Sequence, residues 1–259
     1  MWLVLCTSAD VAARWAYARL REVGPGPVEL VTDLDLVGAR WEHRIRRSGA
    51  QTVVSLTDGR AIDSREIRGA LNRFVAVPPA MLAPVAPADR DYAASELSAL
   101  FMSWLAGLGG PVLNPASARG LSGAWRQTSE WAMLASTAGL PTTVAWVDSA
   151  GVPTSAETAG FEAPLHGWHD WPPFAHLAED VIVVGDAVFA RDPLTPAVGR
   201  ACRSFARLTD TPLLGLRFRP GGATRPGDLV SVTTLPDLRA GGSPLVAALA
   251  EAMGMAVAH

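Results

Sequence analysis

The chain opens on a continuous apolar run, "MWLVLC", which predicts a buried strand. "SADVAARWAYARLREVG" follows with apolar residues at helical spacing, Ser8 or Asp10 as N-cap and Gly24 as stop, and "PVELVT" reads as a second strand. This β-α-β opening predicts a parallel sheet. "QTVVSLTDGRAI" reads as a strand pair around an Asp-Gly turn, and "SREIRGALNRF" as a short helix leading into another strand. The Pro- and Ala-rich "AVPPAMLAPVAPAD" marks a surface connection.

"DYAASELSALFMSWLAGL" has the strongest helical pattern in the chain, "PVLN" is a short strand, and "TSEWAMLASTAG" predicts a helix capped by Thr128 or Ser129 and closed by Gly139. Residues 144–179 are irregular and rich in Pro, Gly and Trp. Beyond them "DVIVVGDAVFARD" predicts a hairpin on Gly-Asp, and "PAVGRACRSFARLTD" a helix. "PLLGLRF" and "DLVSVTT" read as strands, before a closing Ala- and Leu-rich helix.

Composition narrows the chemistry. With 49% hydrophobic and 18% charged residues over 259 positions, the chain has material for a substantial core. All 22 basic residues are arginine, so Schiff bases, lysine nucleophiles and a lysine-dependent phosphate loop are excluded. A net charge of −3 argues against nucleic acid and acidic membranes as partners, and the one dense basic run, "HRIRR", reads as a solvated surface. Two cysteines, Cys6 and Cys202, make no disulfide framework, and "MWLVLC" makes no signal peptide, so a cytoplasmic location is expected. The dinucleotide fingerprint, the nucleophile elbow and paired C-x-x-C motifs are all missing.

One cluster bears on metal. In "HGWHDWPPFAH" His166, His169 and Asp170 could converge on a divalent ion, but a Pro-rich loop holds ligands poorly. Trp168 and Trp171 of the same loop read as aromatic packing or as anchors for a protein partner.

"PVLNPASARGLSGAWRQTSEWAMLASTAGLPTT" resembles the passage of peptide-modifying ATP-grasp ligases in which an Asn-Pro strand end precedes a helix and a Gly-Leu-Pro turn. "VIVVGDAVF", "RLTDTPLLGLRF" and "LVSVTTLPDLRAGGSPLVAALAEAM" resemble the closing elements of that fold, in order. The resemblance implies an α/β protein with a small parallel pre-ATP-grasp-like domain over residues 1–112 and a shortened ATP-grasp-like α+β domain over 113–259.

It also implies ATP and Mg²⁺ as cofactors wherever the family's chemistry is kept. Arg126 falls near the family's first phosphate-binding lysine, and no cation follows it until Arg191. At the implied metal positions stand Arg217, Arg219, Ser231 and Thr233. Hydroxyls hold Mg²⁺ weakly without an anionic companion. The expectation is therefore a catalytically degenerate relative without cofactor, serving as a partner or recognition subunit for a protein or peptide. Arg126, Arg217, Arg219, Trp168 and Trp171 are its candidate contacts. The alternatives are an active carboxylate-amine ligase that uses arginines, and a metal or small-molecule binder built on the His/Trp loop.

Overall fold

In the computed structural model, which describes residues 1–47, 49–142, 181–219 and 227–256, the chain divides into two compact units. The first comprises residues 1–124 and the segment from Val246 onward, and the second comprises residues 125–245. The division thus falls after Ala124, past the 112/113 boundary read from the sequence, and the last segment returns to the first unit. Asn72 shows why the extra residues stay there: its side-chain amide donates to the carbonyls of Asn114 (2.9 Å) and Leu121 (2.6 Å).

The first unit holds a parallel sheet of β2 (Val28–Thr32), β1 (Trp2–Cys6), β6 (Gly69–Asn72) and β7 (Val112–Leu113), in that order. α1 (Val11–Val23) makes the crossover from β1 to β2; Asp10 caps it by accepting from the Ala13 N–H at 2.9 Å, and Ala12, Ala13, Ala16 and Leu20 are its buried stripe. The short α2 (Asp33–Leu36) begins with a capping box between Thr32 and Asp35. β3 (Arg40–Arg46), β4 (Gly49–Ser55) and β5 (Ala61–Asp63) form a second, antiparallel sheet. Arg60, in the turn between β4 and β5, joins the two sheets through ion pairs to Glu29 (3.1 Å) and Asp35 (3.4 Å) and a bond to the Leu30 carbonyl (2.9 Å).

α3 (Arg90–Ala106) packs Phe101, Trp104 and Leu105 into this core. Trp41 of β3 meets Phe101 and Trp104 at ring separations of 5.4 and 5.1 Å, the second edge to face. The short helix expected in "SREIRGALNRF" is only a 3₁₀ turn, Ser64–Glu66, ahead of β6. Tertiary contact overrides helical propensity here: Gly69 lies so close to the Met253 carbonyl that an added Cβ would sit 2.0 Å from its oxygen. The Trp2 indole donates to that carbonyl at 3.1 Å.

The second unit is built on an antiparallel sheet of β11 (Leu229–Thr233), β10 (Leu213–Phe218), β8 (Val181–Val184) and β9 (Ala187–Ala190). β8 and β9 turn on Gly185, at φ +55°, and Asp186, as the sequence predicts. α4 (Thr128–Thr137) and α5 (Pro196–Leu208) cover one face. The α4 cap differs from expectation, since Gln127 holds that position without a side-chain bond and Thr128 is the first helical residue. α5 starts where expected, at Pro196, and Thr195 caps it. α6 (Gly242–Ala252) begins in the second unit and ends in the first. No helix among the described residues is long and apolar enough to cross a membrane.

Candidate functional site

Strand register sorts the second unit's sheet into two faces. Val181, Val183, Leu214, Leu216 and Phe218 point to the helices, where they pack with Trp131 and Ala135 of α4 and with Cys202, Phe205 and Ala206 of α5. Burial in this apolar layer pushes the Cys202 thiol up to about 12.

The intervening residues face the other way. Arg217 is paired with Ser231, and Gly215 with Thr233. Residues directly opposite on neighbouring antiparallel strands share a face, so Arg217, Ser231 and Thr233 form one polar cluster, with no side chain at Gly215. Ile182, paired with Gly215, and Leu213 extend the same face in apolar form. The register slips between Arg217 and Phe218, so the regular pairing ends at the arginine. Arg217 is half-buried, whereas Arg219, past the slip, is exposed.

The Thr233 hydroxyl accepts from the Leu235 N–H at 3.0 Å, which ends β11 in a side-chain turn. Among the described residues the cluster offers one guanidinium and two hydroxyls. Mg²⁺ takes oxygen ligands and a carboxylate or phosphate to balance its charge. A guanidinium has no lone pair to offer and repels the ion, so these residues do not fit the metal of the ATP-grasp reaction. Among the described residues no group of three His, Cys, Asp or Glu side chains could hold a metal.

Arg126 lies on the helix-covered side. Its guanidinium donates to the Thr209 carbonyl at 2.9 Å, lies 3.2 Å from Glu130 and stacks over Trp131 at 5.1 Å, with 11% of the side chain exposed. Thr209 is the C-cap of α5, so this cation sits where the helix dipole is negative and fastens α4 to the end of α5. Trp131 belongs to the layer opposite Arg217. The fold therefore does not bring Arg126 together with Arg217 and Ser231. Trp168, Trp171, His166, His169 and Asp170 lie outside the described residues.

In the first unit, the carboxyl ends of the parallel strands are the usual ligand position of an open α/β sheet. Here the polar groups bond to one another. Arg73, 3% exposed, donates from Nε to Asp10 Oδ2 at 2.7 Å and from Nη2 to Oδ1 at 3.3 Å; Asp10 is 12% exposed and also caps α1. The Ser8 N–H donates to Asp33 at 2.5 Å, and the Ser122 hydroxyl to the Asn72 carbonyl at 3.0 Å. Burial, reinforced by the nearby Asp10 carboxylate, pushes the Cys6 thiol up to about 12, which leaves it protonated and unreactive. Sequence reasoning missed this network. Its one legible signal was Asp10 at the helix cap.

No family model and no curated protein sequence matches the chain. Solved structures do match it in fold, ATP-grasp ligases among them. The macrocyclase MdnC from Microcystis aeruginosa MRC, bound with precursor peptide MdnA, superposes with a TM-score of 0.68 at 11% identity over 98% of this chain and 99% of its own. A RiPP-associated ATP-grasp ligase from Chryseobacterium gregarium, in complex with ADP and a leader and core peptide, gives 0.66 at 8% identity over 98% and 97%. The ATP-grasp ligase PsnB, complexed with minimal precursor, Mg and ADP, gives 0.63 at 15% identity over 97% and 98%.

Proposed function

We propose that this chain acts in a peptide-modification pathway as a binding subunit that keeps the ATP-grasp fold without its metal chemistry, and that its partner is a peptide or a peptide-modifying enzyme. All three structural neighbours named above are held with a precursor, leader or core peptide, two of them with ADP and one of these with Mg as well, which supports a peptide as the partner. The observation that carries the reading is the pairing of Arg217 with Ser231 and of Gly215 with Thr233 on the face of the β10–β11 ladder turned away from α4 and α5. Neither pair contains a carboxylate. Arg126, the one phosphate-binding candidate near α4, is engaged with Thr209, Glu130 and Trp131. Trp168 and Trp171 remain the proposed aromatic contacts for the partner.

The test has two arms. Millimolar Mg-ATP is titrated calorimetrically and followed by thermal shift, and the tagged chain is used to capture partners from its native host. Each missing charge-assisted contact costs on the order of 1.5–3 kcal/mol, so no heat of binding and no stabilisation are expected. Specific capture of a peptide or a modifying enzyme is expected in the second arm. Mg-ATP stabilisation that disappears in Arg217→Ala would overturn the reading and establish a ligase that uses arginines.

A further inference from the structure

β3 carries arginines that few carboxylates answer. Arg40, Glu42, Arg44 and Arg46 alternate along one face of the strand, and Arg47 follows at the turn. Arg44 reaches Glu42, whereas Arg40, Arg46 and Arg47 meet no acidic group among the described residues. In a chain of net charge −3 this is a concentrated positive row.

The other face of β3 is anchored only in its first half. Trp41 packs on Phe101 and Trp104, and the His43 ring lies between the hydroxyls of Thr52 (2.8 Å) and Ser103 (3.0 Å). Ile45, next on that side, is 77% exposed. Among the described residues β3 pairs only with β4, over seven consecutive positions without a register break. Its other edge thus offers a row of main-chain donors and acceptors. Charge on an edge strand commonly serves to block pairing. It does so selectively, because a second copy laid antiparallel on this edge at full overlap would set Arg40 against Arg46 at both ends, with only Glu42 and Arg44 in complement, while an acidic strand would meet complementary charge at Arg40, Arg44 and Arg46. Nucleic acid could answer the charge but not complete the ladder.

We propose that the free edge of β3 takes up an extended acidic peptide segment as an additional strand. Arg40, Arg44 and Arg46 face alternate carboxylates, and Ile45 faces an apolar residue between them. The proposal rests on the peptide-partner reading and gives it a location and a ligand chemistry.

A short fluorescein-labelled peptide of alternating Glu and Val is titrated into the full chain at low ionic strength. Saturable binding is expected, weakened at least about tenfold in Arg44→Glu/Arg46→Glu. That double variant should in turn bind the matching Lys-Val peptide. N-methylation of every second amide, made in both phases, should abolish binding in one phase, since only one set of N–H groups can face β3. Absence of binding by the Glu-Val peptide, indifference to both methylated phases, or equal binding of an oligothymidylate of the same charge would each overturn the proposal. A partner captured equally well by wild type and by Arg44→Glu/Arg46→Glu would overturn it while leaving the peptide-partner reading intact.

Discussion

Arg73 and Asp10 form the buried charge pair on which the top of the first unit's parallel sheet depends. Removing one member takes from the other the counter-charge that lies 2.7 Å away in a buried site. Asp10→Ala also removes the α1 cap, so a loss of about 3–5 kcal/mol is expected by urea denaturation. The double variant Asp10→Ala/Arg73→Met should recover part of that loss, because neither charge of the pair is then buried without the other. If the two single losses simply add in the double variant, the pair is not coupled and its role here is misread. Little of this was legible in the sequence: Asp10 is recognisable as a cap, but its partner lies 63 residues away. The amide of Asn72 likewise finds acceptors 42 and 49 residues on, beyond any local pattern. The cluster of Arg217, Ser231 and Thr233 was legible, because strand alternation alone places such residues on one face. What the sequence could not show is that Arg126 would be held on the opposite side by Thr209 and Trp131.

At the scale of elements, two glycines of opposite character make a paired test. Gly110 precedes β7, and a Cβ there would stand 1.9 Å from the Arg68 carbonyl oxygen. Gly110→Ala must push β7 away from β6, where the Ala70 N–H donates to the Pro111 carbonyl at 2.9 Å, and should cost about 1–3 kcal/mol or more. Gly199, inside α5, has nothing within 4 Å of its Cβ position. Gly199→Ala should therefore raise stability by about 0.5–1 kcal/mol. Thermal melts of the two variants moving in the same direction would contradict these assignments. The strands and helices of strong period, α1, α3, α5 and β8 to β11, stand where the apolar pattern puts them. β3 escaped notice because charge obscured its alternation: Trp41, His43 and Ile45 share one side, but "HRIRR" draws the eye as a basic run. α2 and the turn at Ser64–Glu66 are too short to leave a periodic trace.

At the scale of the whole molecule, the first unit is discontinuous in sequence. Val246, Leu249, Met253 and Met255 are buried, and the Met253 carbonyl receives the Trp2 indole N–H. Each such side chain contributes about 1.5–3 kcal/mol on burial, so together they are on the order of a domain's entire stability. A chain ending at Leu245 is expected to lose the cooperative unfolding transition of residues 1–124, read by circular dichroism and by hydrogen exchange at the amides of β1. Retention of native exchange protection in β1 would show that the first unit is complete without its last segment.

That discontinuity also sets an order in time. A ribosome delivers Trp2 and Gly69 long before Met253, so while the chain is being made the first unit has an open flank, with an indole N–H lacking its acceptor and a glycine lacking its neighbour. Residues 125–245, by contrast, leave the exit tunnel as one uninterrupted stretch. The vectorial order of synthesis is thus the reverse of the order of completion: the unit begun first is the last to close.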